Sequence, residues 1–282
     1  MKISVIMPAK NEDNSVGSVV SRVFKVLPEA EVIVVNDGSV DSTEETAKAA
    51  GAKVINHPYS KGNGASIKTG ARSASGEVLI FMDADGQHLP EDIPRLLARY
   101  QKGYDMVIGA RKAEGQASKG RWAANTFYNR LSSWMVGQKI EDLTSGFRVV
   151  NAERFKEFLT LLPNSFSYPT TSTMAFFRAG YSVAYESIDV AQREGKSHIK
   201  PFQDGIRFLL IIFKIGTLYS PLKLFLPISA SIFCTGLGYY AFTYFTAGRF
   251  TNMSALMFST SLIIFLVGLV SEQITALMYK DK

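Results

Sequence analysis

Two aspartates, Asp83 and Asp85, stand two residues apart in the segment VLIFMDADGQH at 78–88. Side chains alternate along extended chain, so both carboxylates point to the same side. Carboxylates placed together repel unless a cation lies between them, and hard oxygen donors favour Mg2+ or Mn2+. Magnesium seldom occupies an all-protein cage, and phosphate oxygens of a bound substrate usually complete its shell. The pair, with Gln87 and His88 in reach, is therefore a candidate site for a metal and a diphosphate. A bare D-x-D is common in solvated turns. This one follows five consecutive apolar residues, Val78–Met82, which read as a buried strand.

The elements that would position the acids alternate in type. Strands are expected at ISVIMPA, EVIVVND, KVINH, EVLIFMDAD and YDMVIGAR. Helices are expected at SVGSVVSRVFKVL, VDSTEETAKAAG, GNGASIKTGARSAS and PEDIPRLLARYQKG. Near-continuous apolar strands alternating with helices predict an α/β fold, a mostly parallel sheet covered on both faces. Ligands of such sheets bind beyond the carboxyl ends of the strands. The polar residues follow that rule: Pro8, Ala9, Asn11 and Glu12 after the first strand, Asp37 after the second, YSKGNGA after the third, the acid pair after the fourth and Arg111 after the fifth. Five such loops at one sheet edge define a cleft.

The chain has 282 residues, a net charge of +6 and one cysteine. Cys234 alone excludes an intramolecular disulfide framework and a cysteine-based zinc site. Its apolar surroundings predict an inert, buried thiol. No run of five basic residues calls for nucleic acid, and the modest positive balance better suits an anionic membrane surface. No secretory leader is read at the N-terminus, so the N-terminal part is expected in the cytoplasm. Residues 224–247 and 250–271 contain no charged side chain and are long enough to cross roughly 30 Å of hydrocarbon. Lys214 and Lys223 before them, and Lys280 and Lys282 after, place both ends in the cytoplasm. The expected organisation is a catalytic domain at 1–200, a juxtamembrane amphipathic helix at 201–221 carrying Asp204, Arg207 and Lys214, and a transmembrane hairpin at 222–282 with spans near 224–247 and 253–275.

In this order, SVIMPAKNE, VIVVNDGSVDST, KGNGASIKTGA, VLIFMDADGQH and DLTSGFRVV resemble the family 2 glycosyltransferases of GT-A fold. More narrowly, residues 1–200 with the hairpin are similar to the polyprenyl-phosphate glycosyltransferases, the dolichol-phosphate mannose synthase group. The resemblance implies an inverting transfer of a hexose from a UDP- or GDP-linked donor to undecaprenyl or dolichyl phosphate, with Mg2+ or Mn2+. It implies that Pro8, Ala9, Asn11, Glu12 and Asp37 hold the nucleotide base and ribose, and that Lys61 and Gly64 lie on a covering loop. Asp83, Ala84, Asp85 and Gln87 match the metal and diphosphate positions, and Arg193 and Lys196 a segment touching the donor diphosphate. Arg111 and Arg121 match groups that bind the acceptor phosphate, with Asn125 where the family pattern has serine. Arg130 competes with Arg121 for that role.

Asp142 falls in the segment that lines the donor sugar in this family. A lipid phosphate is largely dianionic near pH 7, since its second pKa is about 6. It needs cations more than a base, so Asp142 is given a positioning role. His57 is taken as structural. Another membrane acceptor, such as a glycolipid, is the alternative. A processive synthase is disfavoured because QREGKSHIK stands where its Q-x-x-R-W motif would be. Homo-oligomerisation stays open.

Overall fold

The computed structural model describes residues 1–111, 119–165, 168–189 and 220–278, together with 210, 213, 216 and 217; for 119–125 and 278 it describes the backbone alone. The chain forms two compact units, Met1–Phe202 and Gln203–Lys282.

In the first unit the expected alternation holds through five strands, β1 (Ile3–Ala9), β2 (Glu31–Asn36), β3 (Lys53–Asn56), β4 (Val78–Phe81) and β5 (Met106–Arg111). Between them run α1 (Val16–Val26), α2 (Thr43–Ala49), α3 (Asn63–Ser73) and α4 (Ile93–Tyr100). The fourth strand stops at Phe81, short of the acids, so Asp83 and Asp85 lie on the loop beyond it. After α5 (Lys119–Val136) come β6 (Arg148–Asn151), α6 (Ala152–Glu157), α7 (Tyr168–Arg178) and β7 (Val183–Ile188).

The sheet order is β3-β2-β1-β4-β6-β5-β7. All neighbours pair in parallel except β6, which runs antiparallel to both β4 and β5. β1 lies inside the sheet, and both its faces are covered. Val5 and Met7 join Val16, Val19, Val20 and Val23 of α1 in one core; the spacing of those valines is one stripe of a helix. Ile6 faces the other layer, where Gly70 of α3 lies against it. On that side Phe81 also meets Phe155 of α6, with ring centroids 4.6 Å apart.

The second unit is a hairpin of two helices, Pro221–Ala247 and Asn252–Met278. Both are long and apolar enough to cross a membrane. At about 1.5 Å per residue each reaches roughly 40 Å, more than a hydrocarbon core needs. They touch along a strip of small residues. Ser229 Oγ donates to Ser261 carbonyl oxygen at 2.8 Å, and Ser261 Oγ returns the bond at 2.9 Å. Gly268 sits against Phe225 and Gly236 against Met257, as close helix packing in lipid requires. Only the facing strip is buried. Cys234, expected in a buried interior, is therefore exposed. Of the expected helix at 201–221, most lies outside the described residues, although Leu210 and Phe213 are exposed.

A methyl at Gly70 would come within 2.3 Å of Ile6 Cγ2, and Ile6 is fully buried in the sheet. Overpacking costs about 1–3 kcal/mol, against a helix-propensity gain near 1 kcal/mol from glycine to alanine. The clash should win because Ile6 has no space to yield. Gly70→Ala should lower the melting temperature of the detergent-solubilised chain by about 2–8 °C; an unchanged or higher value would show that Ile6 can move.

Candidate functional site

The parallel strands end at one edge, and the antiparallel β6 starts there. Phe81, the last residue of β4, pairs with Arg148, the first of β6. Reversing one strand thus brings the entering segment Asp142–Phe147 to the same edge as the loops after β1, β2, β3, β4 and β5. The alternating sequence pattern does not reveal this, because β6 is only four residues long.

The loops after β1 and β2 are laced together. Asn11 N–H donates to Ser39 Oγ at 2.9 Å, Val40 N–H to Asn11 Oδ1 at 3.0 Å and Glu12 N–H to Thr43 Oγ1 at 2.9 Å. Asn11 takes a left-handed backbone, φ 55°, in this turn. Ser15 Oγ reaches the carbonyl of Ala84 at 2.8 Å, tying the start of α1 to the acid loop.

Asp37 is buried and governs the loop after β3. Its Oδ1 accepts from His57 Nδ1 at 2.7 Å and from Lys61 N–H at 2.8 Å. Its Oδ2 accepts from Ser60 Oγ at 2.7 Å and from Gly62 N–H at 2.9 Å. Burial alone would raise its pKa, but these four donors together hold it down to about 2. The far side of the loop is closed by residues 162–165. Gly64 N–H and Ala65 N–H donate to the carbonyls of Ser165 and Asn164, and Lys68 Nζ binds Leu162 carbonyl oxygen and Asn164 Oδ1. A side chain at Gly64 would fall 2.1 Å from Pro163 carbonyl oxygen, and Gly62 adopts φ 99°. Both glycines are required by geometry, one for space and one for backbone conformation.

Asp83 and Asp85 are both half-buried while Ala84 between them is buried, as alternation predicts. Asp85 Oδ1 accepts from Gln87 N–H at 3.1 Å. Gly146 lies beside Asp83, whose carboxylate oxygens are 3.4 and 3.6 Å from the position of an added Cβ, an ordinary van der Waals contact. Asp83 N–H donates to His88 Nδ1 at 3.1 Å, so that nitrogen is an acceptor turned to the backbone. The His88 ring stacks on Phe147 at 5.2 Å. Burial raises the Tyr168 hydroxyl pKa, as does the Asp83 charge, and that hydroxyl donates to Gly146 carbonyl oxygen at 3.0 Å. Among the described residues no three acidic, His or Cys side chains cluster as a metal cage. Two half-buried carboxylates fit a hard cation whose shell is completed by ligand oxygens.

Arg111 is locked to Asp142. Nε donates to Oδ2 at 2.7 Å and Nη2 to Oδ1 at 2.9 Å, a bidentate pair, and Nη2 also reaches Thr144 Oγ1 at 2.5 Å. Asp142 Oδ1 further accepts from the N–H groups of Thr144 and Ser145, both at 3.1 Å. Burial alone would raise the Asp142 carboxyl, but Arg111 outweighs it and holds the group below the usual carboxylate range. Asn129 of α5 clamps the same segment, donating to Glu141 carbonyl oxygen at 2.7 Å and accepting from Leu143 N–H at 3.1 Å.

Beneath lies Arg148, fully buried. Its guanidinium donates to Ser145 carbonyl oxygen at 2.7 Å, Ser172 Oγ at 2.9 Å and Thr173 Oγ1 at 2.8 Å, and no carboxylate pairs with it among the described residues. Burial lowers its pKa to about 10.

The edge thus gathers Pro8, Ala9, Asn11, Glu12, Asp37, Lys61, Gly64, Asp83, Ala84, Asp85, Gln87, Arg111 and Asp142. Arg121 and Asn125 fall on α5, with side chains outside the described residues; Arg193 and Lys196 are outside them altogether. Arg130 is exposed. The sequence reading missed the partner of His57, the buried Arg148 and Tyr168, and the clamp made by Asn129. Only Arg148 carried a signal, as a charged residue opening a strand whose two inner positions are valines.

Residues 4–159 match the profile of glycosyl transferase family 2, and residues 220–277 match that of the GtrB C-terminal hairpin. The dolichyl-phosphate hexose transferase of Haloferax volcanii is 28% identical over 72% of this chain and 89% of its own length. The polyprenol monophosphomannose synthase of Mycolicibacterium smegmatis is 31% identical over 67% of this chain and 77% of its own. Among solved structures, glucosyl-3-phosphoglycerate synthase from Mycobacterium tuberculosis, in complex with Mn2+, UDP-glucose and phosphoglyceric acid, superposes with a TM-score of 0.63 at 20% identity. It covers 76% of this chain and 79% of that one, a likeness of fold.

Because the folded Asp37 carboxyl lies near 2 and an unfolded one near 3.9, its stabilisation is complete above about pH 4 and lost as pH falls through 2. Melting temperature followed from pH 5 to pH 2 should fall less steeply in Asp37→Asn than in the parent. An identical slope would mean that the four donors do not favour the charged form.

Proposed function

The chain belongs to glycosyl transferase family 2, and on that premise we propose that it moves a hexose from a nucleoside-diphosphate sugar to a polyprenyl phosphate at the cytoplasmic face of a membrane. The observation that carries the proposal is one sheet edge bearing two half-buried carboxylates and, at the last residue of β5, a fixed guanidinium, in a chain that also supplies an apolar hairpin. The relatives named for dolichyl and polyprenol phosphates support the acceptor class, and the Mn2+ and UDP-glucose of the solved neighbour support the donor side.

In the proposed reaction an oxygen of the lipid phosphate attacks the anomeric carbon. The bond from that carbon to the nucleotide diphosphate breaks, and the nucleoside diphosphate leaves with the electron pair. A single displacement inverts the configuration. Asp83 and Asp85, with Gln87 beside them, would hold a Mg2+ or Mn2+ ion that offsets the charge gathering on the leaving diphosphate. Pro8, Ala9, Asn11 and Glu12 line the nucleotide side, with Lys61 and Gly64 on its wall. By the family resemblance, Arg193 and Lys196 would add positive charge against the diphosphate.

The acceptor dianion needs cations to approach a second anion. Arg111 serves here, held by Asp142 so that its fork is fixed before the phosphate arrives. Arg121 and Asn125 stand four residues apart on α5, a spacing that continues to Asn129 and forms one strip of helix. Asp142, already paired and of low basicity, is no general base. Basic residues at both ends of the hairpin set the catalytic unit on the cytoplasmic side.

Purified enzyme given polyprenyl phosphate and labelled UDP- and GDP-hexoses should carry label into the lipid phase. Asp85→Ala should reduce that transfer by about 10²-fold or more. Arg111→Ala should raise the KM for lipid phosphate tenfold or more with nucleotide affinity within about threefold of the parent, since charge-assisted bonds contribute about 1.5–3 kcal/mol. Label confined to water-soluble products would overturn the acceptor, and a nucleotide-binding loss in Arg111→Ala would overturn the division of the site.

A further inference from the structure

We infer that His88 is a positioning residue for the acid pair: it closes the loop 83–88 through an acceptor nitrogen and so holds Asp83 and Asp85 together for a cation. The inference rests on the reading of this edge as a metal and diphosphate site.

The loop leaves the sheet and is then held by side chains. Met82 N–H still donates to Ile6 carbonyl oxygen of β1 at 3.2 Å. The next N–H, that of Asp83, donates to His88 Nδ1 at 3.1 Å. Inside the loop Asp85 Oδ1 accepts from Gln87 N–H at 3.1 Å, and Ser15 Oγ donates to Ala84 carbonyl oxygen at 2.8 Å. Gly86 turns the chain at φ 76°, and among the described residues an added Cβ there would meet nothing within 4 Å. A glycine in open space brings the most backbone freedom to the loop, so the bonds around it must fix its course.

An N–H aimed at Nδ1 needs a lone pair there, which puts the ring proton on Nε2. Asp83 Oδ2 lies 3.6 Å from the same nitrogen, too far for a hydrogen bond. The imidazole therefore engages the Asp83 backbone and not its carboxylate. His88 is only 5% exposed, so water is poorly placed to replace the acceptor if it is removed.

The ring also ties the loop to a second segment. It stacks on Phe147, with centroids 5.2 Å and planes 29° apart. Phe147 is fully buried, and its carbonyl oxygen accepts from Gly109 N–H at 2.9 Å. Gly109 lies in β5, the strand that ends in Arg111. The acid loop and the guanidinium are thus set in one frame. A cation held by two carboxylates needs both in place at once. A loop that opens at Asp83 must be reordered when the ion binds, and that ordering lowers the affinity.

Two substitutions separate the acceptor from the ring. His88→Phe keeps an aromatic ring and loses the acceptor. His88→Asn loses the ring and keeps an oxygen, Oδ1, in the position of Nδ1. Electron paramagnetic resonance of free Mn2+ gives the affinity of the full-length, detergent-solubilised chain for Mn2+ in the presence of UDP. His88→Phe should weaken it about 5–50-fold, and His88→Asn should bind at least about threefold more tightly than His88→Phe. UDP affinity measured in EDTA should change less than Mn2+ affinity in both. Melting curves identify folded protein, and if His88→Phe does not fold, His88→Ala takes its place, since it too lacks the acceptor. Mn2+ binding by His88→Asn no tighter than by the variant without an acceptor, or undiminished in both, would overturn the inference. So would a loss of metal-free UDP binding as large as the loss of Mn2+, the mark of a general loosening of the edge. If the parent binds no Mn2+ beside UDP, the metal reading of the edge fails and this inference with it.

Discussion

Charge withdrawn from water at the end of a strand must be met by fixed donors, and the carboxyl edge of this sheet is organised by that requirement. Asp37 and Asp142 are both nearly buried, and both are ringed by backbone N–H groups, hydroxyls and one cationic or imidazole partner. An isolated carboxylate there would be neutral or the fold would be unstable. Each acid therefore dictates the course of a loop. Asp37 fixes 57–62, which forms one wall, and Asp142 fixes Arg111 together with the turn at 144–145. Asp83 and Asp85 differ in being only half-buried. The edge is thus divided between acids that build it and acids that can receive something.

Arg148 shows the same requirement with the sign reversed. A guanidinium with no solvent contact is held by two carbonyls and two hydroxyls, which keep it protonated although its pKa is lowered. It links α7 to the segment that carries Asp142. Tyr168 adds a second tie through Gly146, the residue beside Asp83. The loops at this edge are therefore braced from the layer below, and the cleft does not depend on loop stiffness alone. The hairpin follows a different logic. With no water to expel between helices in lipid, its contacts come from small residues and from the paired serines 229 and 261.

Much of this was legible in the chain. The first five strands and the four helices between them follow from period and punctuation, within a few residues at their ends. The D-x-D pair, the edge to which it belongs and the apolar hairpin follow as well. Other features were hidden for physical reasons. β6 is too short to show a period, and its antiparallel insertion is a choice of partner that no local pattern encodes. Cys234 looked buried because its neighbours are apolar, yet the outer face of a helix pair can be apolar too. His57 had no visible partner because Asp37 is twenty residues away and meets it only when β2 and β3 lie side by side.

The sequence by itself determined which residues sit at strand ends, since hydrophobic periodicity and turn residues act over a few neighbours. It also determined which segments are apolar enough to leave water. Only the tertiary structure decided which polar groups meet and how their capacity is used: Asp37 filled by its own loop, Arg111 bound to Asp142, Arg148 sealed below. Hydrogen bonds and ion pairs act over about 3 Å, and that proximity between distant residues is set by how strands are ordered in the sheet.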